Sequence, residues 1–265
     1  MPSHLEKIVA NTRVEVERRK AGADFAQLER AAASHVPRGF AAALRGAADR
    51  PAVIAELKKA SPSRGLIRAE FDVVALARAL EQAGAAALSV LTDEAFFQGS
   101  LENLSLASAA VKIPCLRKDF MVDPFQMLEA RAHGADAVLL IAAALTDAEL
   151  RTLADAAHAH GLDILCEVHS REELDRVAQL GCHAYGVNSR NLKTFDVSLS
   201  TATELVELLP GSAVKVAESG IHTAQDIRQL RSAGYDAFLV GESLMRRPDP
   251  GRALAELLAP VAVRA

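Results

Sequence analysis

Ala83-Gly84-Ala85-Ala86-Ala87-Leu88 recurs along this chain, as His133-Gly134-Ala135-Asp136-Ala137-Val138, as Leu180-Gly181-Cys182-His183-Ala184-Tyr185 and as Ala233-Gly234-Tyr235-Asp236-Ala237-Phe238. The four glycines fall at intervals of roughly 50 residues. Each copy closes a helical pattern and leads at once into a short apolar run. Glycine accepts the left-handed backbone that ends a helix, so the motif reads as a helix cap feeding a buried strand.

Each period holds two strand-helix units. Candidate strands are Ala52–Leu57, Ala87–Leu91, Pro114–Leu116, Ala137–Ile141, Leu162–Glu167, Ala184–Val187, Ala213–Ala217 and Ala237–Val240. Helical patterns cover Asp72–Gln82, Pro124–His133, Asp147–His160, Arg171–Leu180 and Thr223–Ser232, several opening with Asp, Ser, Thr or Pro and closing with Gly. Strands that alternate with helices pair in parallel, because each crossover returns the chain to the same end of the sheet. Eight such units predict an α/β fold, a (β/α)8 TIM barrel, with an open doubly wound sheet as the alternative. Before residue 50 the rhythm differs. Leu5, Ile8, Val9, Val14 and Val16 lie among charged residues, as in one or two amphipathic helices, and Pro37, Gly39 and Gly46 break the pattern. We expect residues 1–50 to be an N-terminal helical extension packed on the barrel, and residues 51–265 to be the barrel catalytic domain.

Composition narrows the function. The chain has 265 residues, half of them hydrophobic, which suffices for one large core. Its net charge is −4 with both signs interspersed, which speaks against a nucleic-acid partner. No apolar run has the length of a membrane span and the start has no secretory pattern, so a cytoplasmic protein is expected. Cys115, Cys166 and Cys182 lack ligand spacing, and Cys115 and Cys166 sit in apolar runs as buried small residues do. His133, His158 and His160 fall at helix ends. His169, close after Glu167, is the one tempting ligand, but no pair has metal spacing, and no metal is expected.

In a barrel, charged residues collect where the strands end, because the interior below is filled by branched apolar side chains. The first strand ends in Glu56-Leu57-Lys58, where alternation puts Glu56 and Lys58 on one face. The third ends at Arg117-Lys118-Asp119, the fifth at Glu167, the sixth at Asn188 and Arg190, and the seventh at Glu218. One such residue is a solvated loop residue; five strand ends form a functional rim. Glu218-Ser219-Gly220 and Gly241-Glu242-Ser243 follow the last two strands. Glycines there let backbone N–H groups approach an anion, at the usual phosphate site of this fold, although each also suits a simple tight turn.

These residues carry a resemblance. Glu56-Leu57-Lys58-Lys59-Ala60-Ser61-Pro62-Ser63-Arg64-Gly65, Leu91-Thr92-Asp93 with Phe96-Phe97-Gln98-Gly99-Ser100, and Ile113 to Phe120 resemble indole-3-glycerol-phosphate synthases. So do Glu167-Val168-His169, Asn188-Ser189-Arg190-Asn191-Leu192, Glu218-Ser219-Gly220-Ile221 and Gly241-Glu242-Ser243-Leu244-Met245, in family order over nearly the whole barrel. The resemblance implies a small phosphorylated substrate, 1-(2-carboxyphenylamino)-1-deoxyribulose 5-phosphate. It implies conversion to indole-3-glycerol phosphate in tryptophan biosynthesis, with loss of carbon dioxide and water and no cofactor. By analogy Lys118 is the general acid at the carbonyl oxygen, and Lys58 holds the leaving carboxylate. Glu167 is the acid/base of the dehydration, Glu56 and Glu218 set local charge, and Asn188 and Arg190 position sugar and carboxylate. Ser61, Ser219, Gly220, Gly241 and Glu242 cradle the phosphate, Glu242 through its backbone, since an acidic side chain there departs from a small polar residue. Phe97 and Phe120 either wall the anthranilate ring or fill core. Burial is expected to lower the lysine pKa and raise the glutamate pKa, suiting acid–base exchange near neutral pH.

Three rivals stand beside this reading: a Schiff-base aldolase using Lys58 or Lys118, a phosphoribosylanthranilate isomerase, and a non-catalytic scaffold. The isomerase would want a Cys base and an Asp acid at strand ends, and Cys115 lies before the Arg-Lys-Asp turn instead. A monomer or weak homo-oligomer is expected.

Overall fold

The computed structural model describes residues 3–47, 50–189 and 203–259. After β1 (Ala52–Leu57) comes a small antiparallel hairpin of β2 (Ala60–Ser61) and β3 (Gly65–Leu66). The remaining strands are β4 (Ala87–Leu91), β5 (Cys115–Lys118), β6 (Ala137–Ile141), β7 (Asp163–Val168), β8 (Ala184–Asn188), β9 (Val214–Glu218) and β10 (Ala237–Val240). Each pairs in parallel with its neighbour, and β1 pairs with both β4 and β10, so eight strands close into a (β/α)8 barrel. That closure removes the open sheet.

The unexpected strand limits have physical causes. Pro114 has no N–H to donate, so it precedes β5 and offers only its carbonyl, which accepts from Leu88 N at 2.9 Å. At the other end Arg117 and Lys118 stay in the ladder, opposite Val90 and Leu91. β7, β8 and β9 each run one residue further than their apolar runs. Pairing is a backbone property, and Asn188 faces Glu218 in register although both are polar. The rim residues are therefore parts of strands, held by the sheet itself.

The extension has three helices where one or two were expected: α1 (His4–Ala21), α2 (Phe25–Ser34) and α3 (Phe40–Arg45). Ser3 and Glu6 close a capping box on α1, Asp24 caps α2, and Gly39 enters α3 with φ 74°. Helices α4 (Val73–Gln82), α7 (Phe125–Ala132), α8 (Asp147–Ala159), α9 (Arg171–Val177) and α10 (Ala224–Ser232) match the sequence patterns. The sequence did not signal α5 (Glu94–Phe97), α6 (Leu101–Ala110), α11 (Glu242–Met245) or α12 (Pro250–Leu258). No helix among the described residues is long and apolar enough to cross a membrane.

Alternation along the strands divides the core in two. Outward residues such as Val53, Leu88, Val138 and Phe238 pack with the helices, whereas Ile54, Leu116, Leu139, Leu165 and Val216 fill the barrel. Phe40, Ala41 and Leu44 of α3 join the inner cluster and stopper the end where the strands begin. Ala41 N donates to Asp163 Oδ2 at 2.8 Å, and the Arg45 guanidinium to Ser212 O at 2.8 Å, which fixes that stopper.

Candidate active site

At the opposite end the strands deliver the charged residues to one pocket of about 190 Å³. Glu56 lies inside β1, Leu57 turns outward into the core, and Lys58 turns back in to pair with Glu56. Lys118 ends β5, Glu167 lies in β7, Asn188 ends β8 and Glu218 ends β9. Phe97, Phe120, Ser61, Ser219, Gly220, Gly241 and Glu242 complete the lining. The predicted site residues among those described thus converge; Arg190 lies outside the described residues.

Lys118 Nζ is the hub. It donates to Glu167 Oε2 at 3.1 Å and stands 3.7 Å from Glu218 Oε2. Its neighbour Arg117 points the other way and is fully buried. Arg117 donates to Thr92 Oγ1 at 3.2 Å, to Asp119 Oδ2 at 2.9 Å and to Glu129 Oε2 at 3.3 Å. Arg19 of α1 reaches the same Glu129 at 2.9 Å. This network pins the end of β5, and with it the root of the Lys118 side chain.

The expected pKa directions need correction for two groups. Burial on its own would favour neutral Lys118, but Glu167, Glu218 and Glu56 together outweigh it and raise its pKa. Burial likewise favours neutral Glu167. Lys118, His169 and the Asn188 amide overcome that and hold Glu167 down at about 2. Glu218 alone follows the expectation. Burial, then repulsion from Glu167, pushes its pKa well above the ordinary carboxylate value despite Lys118. The free site therefore holds a charged Lys118–Glu167 pair beside a Glu218 carboxyl that its surroundings push toward the neutral form.

Two glycines make room for the carboxylates. A Cβ at Gly186 would meet Glu218 Cδ at 3.0 Å, and one at Gly241 would meet Glu56 Cβ at 2.9 Å. Gly186 sits inside an apolar strand run, where a glycine signals close approach, and the sequence reading passed over it. Phe97 and Phe120 are half-buried, with ring centroids 6.2 Å apart at 38°; both line the pocket, and Phe120 also packs against the inner barrel cluster.

On the opposite side, Ser219 (φ 68°) and Gly220 (φ 76°) turn the chain in successive left-handed conformations. Ser219 Oγ donates to Asn188 Oδ1 at 2.8 Å and so orients the amide that serves Glu167. Its hydroxyl is engaged by Asn188. The Glu242 carboxylate meets Arg64 at 3.0 Å and Arg246 at 3.3 Å. Ser243 Oγ donates to Ile221 O at 3.0 Å, tying together the turns after β9 and β10. The sequence also missed His4, Leu5 and Ile8, whose helix α1 begins over the pocket mouth. Only tertiary placement brings them there, and no local signal marks it.

The family model for indole-3-glycerol phosphate synthase matches residues 5–257. The chain belongs to that family. It is 59% identical over 259 residues to an indole-3-glycerol phosphate synthase from Koribacter versatilis, covering 97% of this chain and 100% of that one. It is 50% identical over 262 residues to one from Dechloromonas aromatica, covering 98% and 100%. Among solved structures, a mutant tryptophan synthase alpha-subunit from Pyrococcus furiosus is similar in fold, with a TM-score of 0.61 at 13% identity over 78% of this chain and 98% of that one. A thiamine phosphate pyrophosphorylase from Pyrococcus furiosus gives 0.60 at 20% identity, covering 81% and 95%.

Proposed function

We propose that the Lys118–Glu167–Glu218 cluster carries out the family's reaction in this chain. The reaction is ring closure of 1-(2-carboxyphenylamino)-1-deoxyribulose 5-phosphate to indole-3-glycerol phosphate, with loss of carbon dioxide and water. The observation that carries the reading is Lys118 Nζ between two buried carboxylates, 3.1 Å from one and 3.7 Å from the other, on the floor of the pocket. The catalytic barrel spans 51–265 and residues 1–50 are its extension. The working form is a cytoplasmic monomer or weak homo-oligomer, with a small phosphorylated molecule as partner and no nucleic acid.

The substrate brings a benzoate carboxylate, a ketone and a phosphate. Phe97 and Phe120 hold the aromatic ring, and Lys58 takes the carboxylate. The ring carbon bearing that carboxylate attacks the ketone carbon, and Lys118 gives its proton to the oxygen that would otherwise become an alkoxide. An alkoxide is a strong base, so even a lysine whose pKa is raised delivers its proton downhill. Carbon dioxide then leaves without its bonding electrons, which restore the aromatic ring. Glu167, ionised in the free site, removes the proton from the carbon beside the one bearing the hydroxyl, while Lys58, freed by the departure of carbon dioxide, protonates that hydroxyl so that it leaves as water. Asn188 and Arg190 position the sugar. The turns at Ser219–Gly220 and Gly241–Glu242, with Ser61, receive the phosphate through backbone N–H groups. Arg64 and Arg246 draw the acidic side chain of Glu242 to themselves.

The same charge state speaks against an aldolase that uses Lys118. A Schiff base needs a neutral amine, and Lys118 is held as an ammonium. It also disfavours a thiol base, since burial pushes Cys115 up to about 12. The test is fluorescence on mixing the chain with the carboxyphenylamino-deoxyribulose phosphate. The chain contains no tryptophan, so indole emission rises from a dark background. A rise that Lys118→Ala abolishes supports the reading; no rise with the wild-type chain rejects it.

A further inference from the structure

His169 follows β7, two residues beyond Glu167, and is mostly buried between two carboxylates on different elements. Its Nε2, which has no aligned hydrogen-bond partner among the described residues, faces Glu167 Oε1 at 3.4 Å. Its Nδ1 lies 3.3 Å from Glu173 Oε2, and the same oxygen accepts the His169 backbone N–H at 2.8 Å. Ser170 caps α9 by accepting from Glu173 N at 3.3 Å, so the helix start fixes Glu173 and Glu173 fixes the ring. The two oxygens of Glu167 thus face different cations: Oε2 faces Lys118 and Oε1 faces the imidazole.

We propose that His169 is a positioning residue for the dehydration step, its imidazolium holding Glu167 Oε1 so that the carboxylate presents its Lys118 side to the substrate. This inference rests on the role proposed for Glu167. The charged groups acting on the ring are Glu167 and Lys118 from the strand ends and Glu173 from α9. Burial alone would make the imidazole neutral, and Lys118 repels its charge. The two carboxylates prevail and raise its pKa above 6.5. As pH rises through that value the imidazolium is lost, and with it the charged contact that orients Glu167 Oε1, so turnover is expected to inflect on the alkaline side of 6.5.

The experiment measures kcat and KM by indole fluorescence across pH for the wild-type chain, His169→Gln, Glu173→Gln and Glu167→Gln. Glutamine keeps a neutral donor near the Nε2 position and removes the charge. Expected are a kcat about tenfold lower for His169→Gln, the usual scale for a partner that orients a reactive group, an almost unchanged KM, and loss of the inflection. In Glu173→Gln the inflection moves to lower pH. A His169→Gln chain with wild-type kcat, or with reduced kcat and the inflection intact, overturns the inference. If Glu167→Gln has lost the dehydration in that same experiment, the Glu167 reading survives; if Glu167→Gln stays fully active, both fall. Should His169→Gln fail to fold, NMR titration of the His169 ring in wild type and Glu173→Gln decides. A ring pKa above 6.5 that falls in Glu173→Gln supports the inference, and a value that does not change overturns it.

Discussion

Asp136 and Glu218 are both buried carboxylates of one barrel, and they stand at opposite ends with opposite surroundings. Asp136, just before β6, is saturated with donors. It accepts from Arg38 N at 2.7 Å, from the Arg38 guanidinium at 2.6 and 2.9 Å, and from Cys115 N at 2.6 Å, with His35 Nε2 at 3.1 Å. Glu218, at the end of β9, has no aligned hydrogen-bond donor on either oxygen among the described residues, and its nearest cation is 3.7 Å away. A buried carboxylate left this way is destabilising unless it takes up a proton. One end of the barrel is a clasp between extension and barrel, and the other leaves buried carboxylate oxygens without donors among the described residues. Polarity and burial alone do not separate the two roles; hydrogen-bond satisfaction does.

Substitutions sharpen that contrast, beginning with the largest effect. Lys118→Ala is expected to lower kcat by about 10²- to 10⁴-fold, the usual share of a general acid, with a thermal midpoint close to wild type. Steady-state kinetics beside calorimetry checks this, and a collapse of the midpoint would make Lys118 structural instead. Asp136→Ala should do the reverse. Losing one partner of a buried, partly open ion-pair cluster costs roughly 3 kcal/mol, read by urea unfolding, while kcat well below the midpoint stays within about twofold. Phe40→Ala opens a cavity under the barrel and costs about 3–5 kcal/mol, again with the chemistry spared.

The smallest effect is on the pH dependence of stability. The folded-state pKa of Glu218 is raised, so its contribution is complete below the unfolded carboxylate value and is lost as pH rises toward the folded one. That of Glu167 is depressed, so its contribution is present above the unfolded value and is lost as pH falls toward about 2. Glu218→Gln is therefore expected to hold its stability better than wild type as pH rises from about 4 to neutrality. Glu167→Gln is expected to lose stability at neutral pH. Unfolding free energies at several pH values test both signs, and parallel curves for Glu218→Gln and wild type would refute the upward shift of Glu218.

Much of this was legible in the sequence. Eight alternating strand and helix patterns gave the number of units and the four glycine-capped repeats supported it, while the open sheet was removed only by the pairing of β1 with β10. The rim residues followed from charges placed directly after apolar runs. What stayed illegible depends on distance through space. Arg117 and Lys118 adjoin in sequence and point to opposite sides of β5, one into a static network and the other into the pocket. Whether burial or opposite charge sets a pKa is decided by separations that no pattern encodes, so the directions for Lys118 and Glu167 came out reversed. His169 read as a weak metal ligand because Glu173, four residues on, turns back to it only once α9 forms. The first turn of α1 reaches the pocket mouth from a segment that sequence marks merely as amphipathic.

The central claim is a division of labour within one cluster, Lys118 acting before carbon dioxide leaves and Glu167 after. A single turnover of Glu167→Gln, followed at once by carbon dioxide release and by indole fluorescence, tests it most directly. The account predicts carbon dioxide release with little or no rise in indole emission, as a ring-closed but undehydrated species accumulates. Release and emission lost together, or retained together, would contradict it.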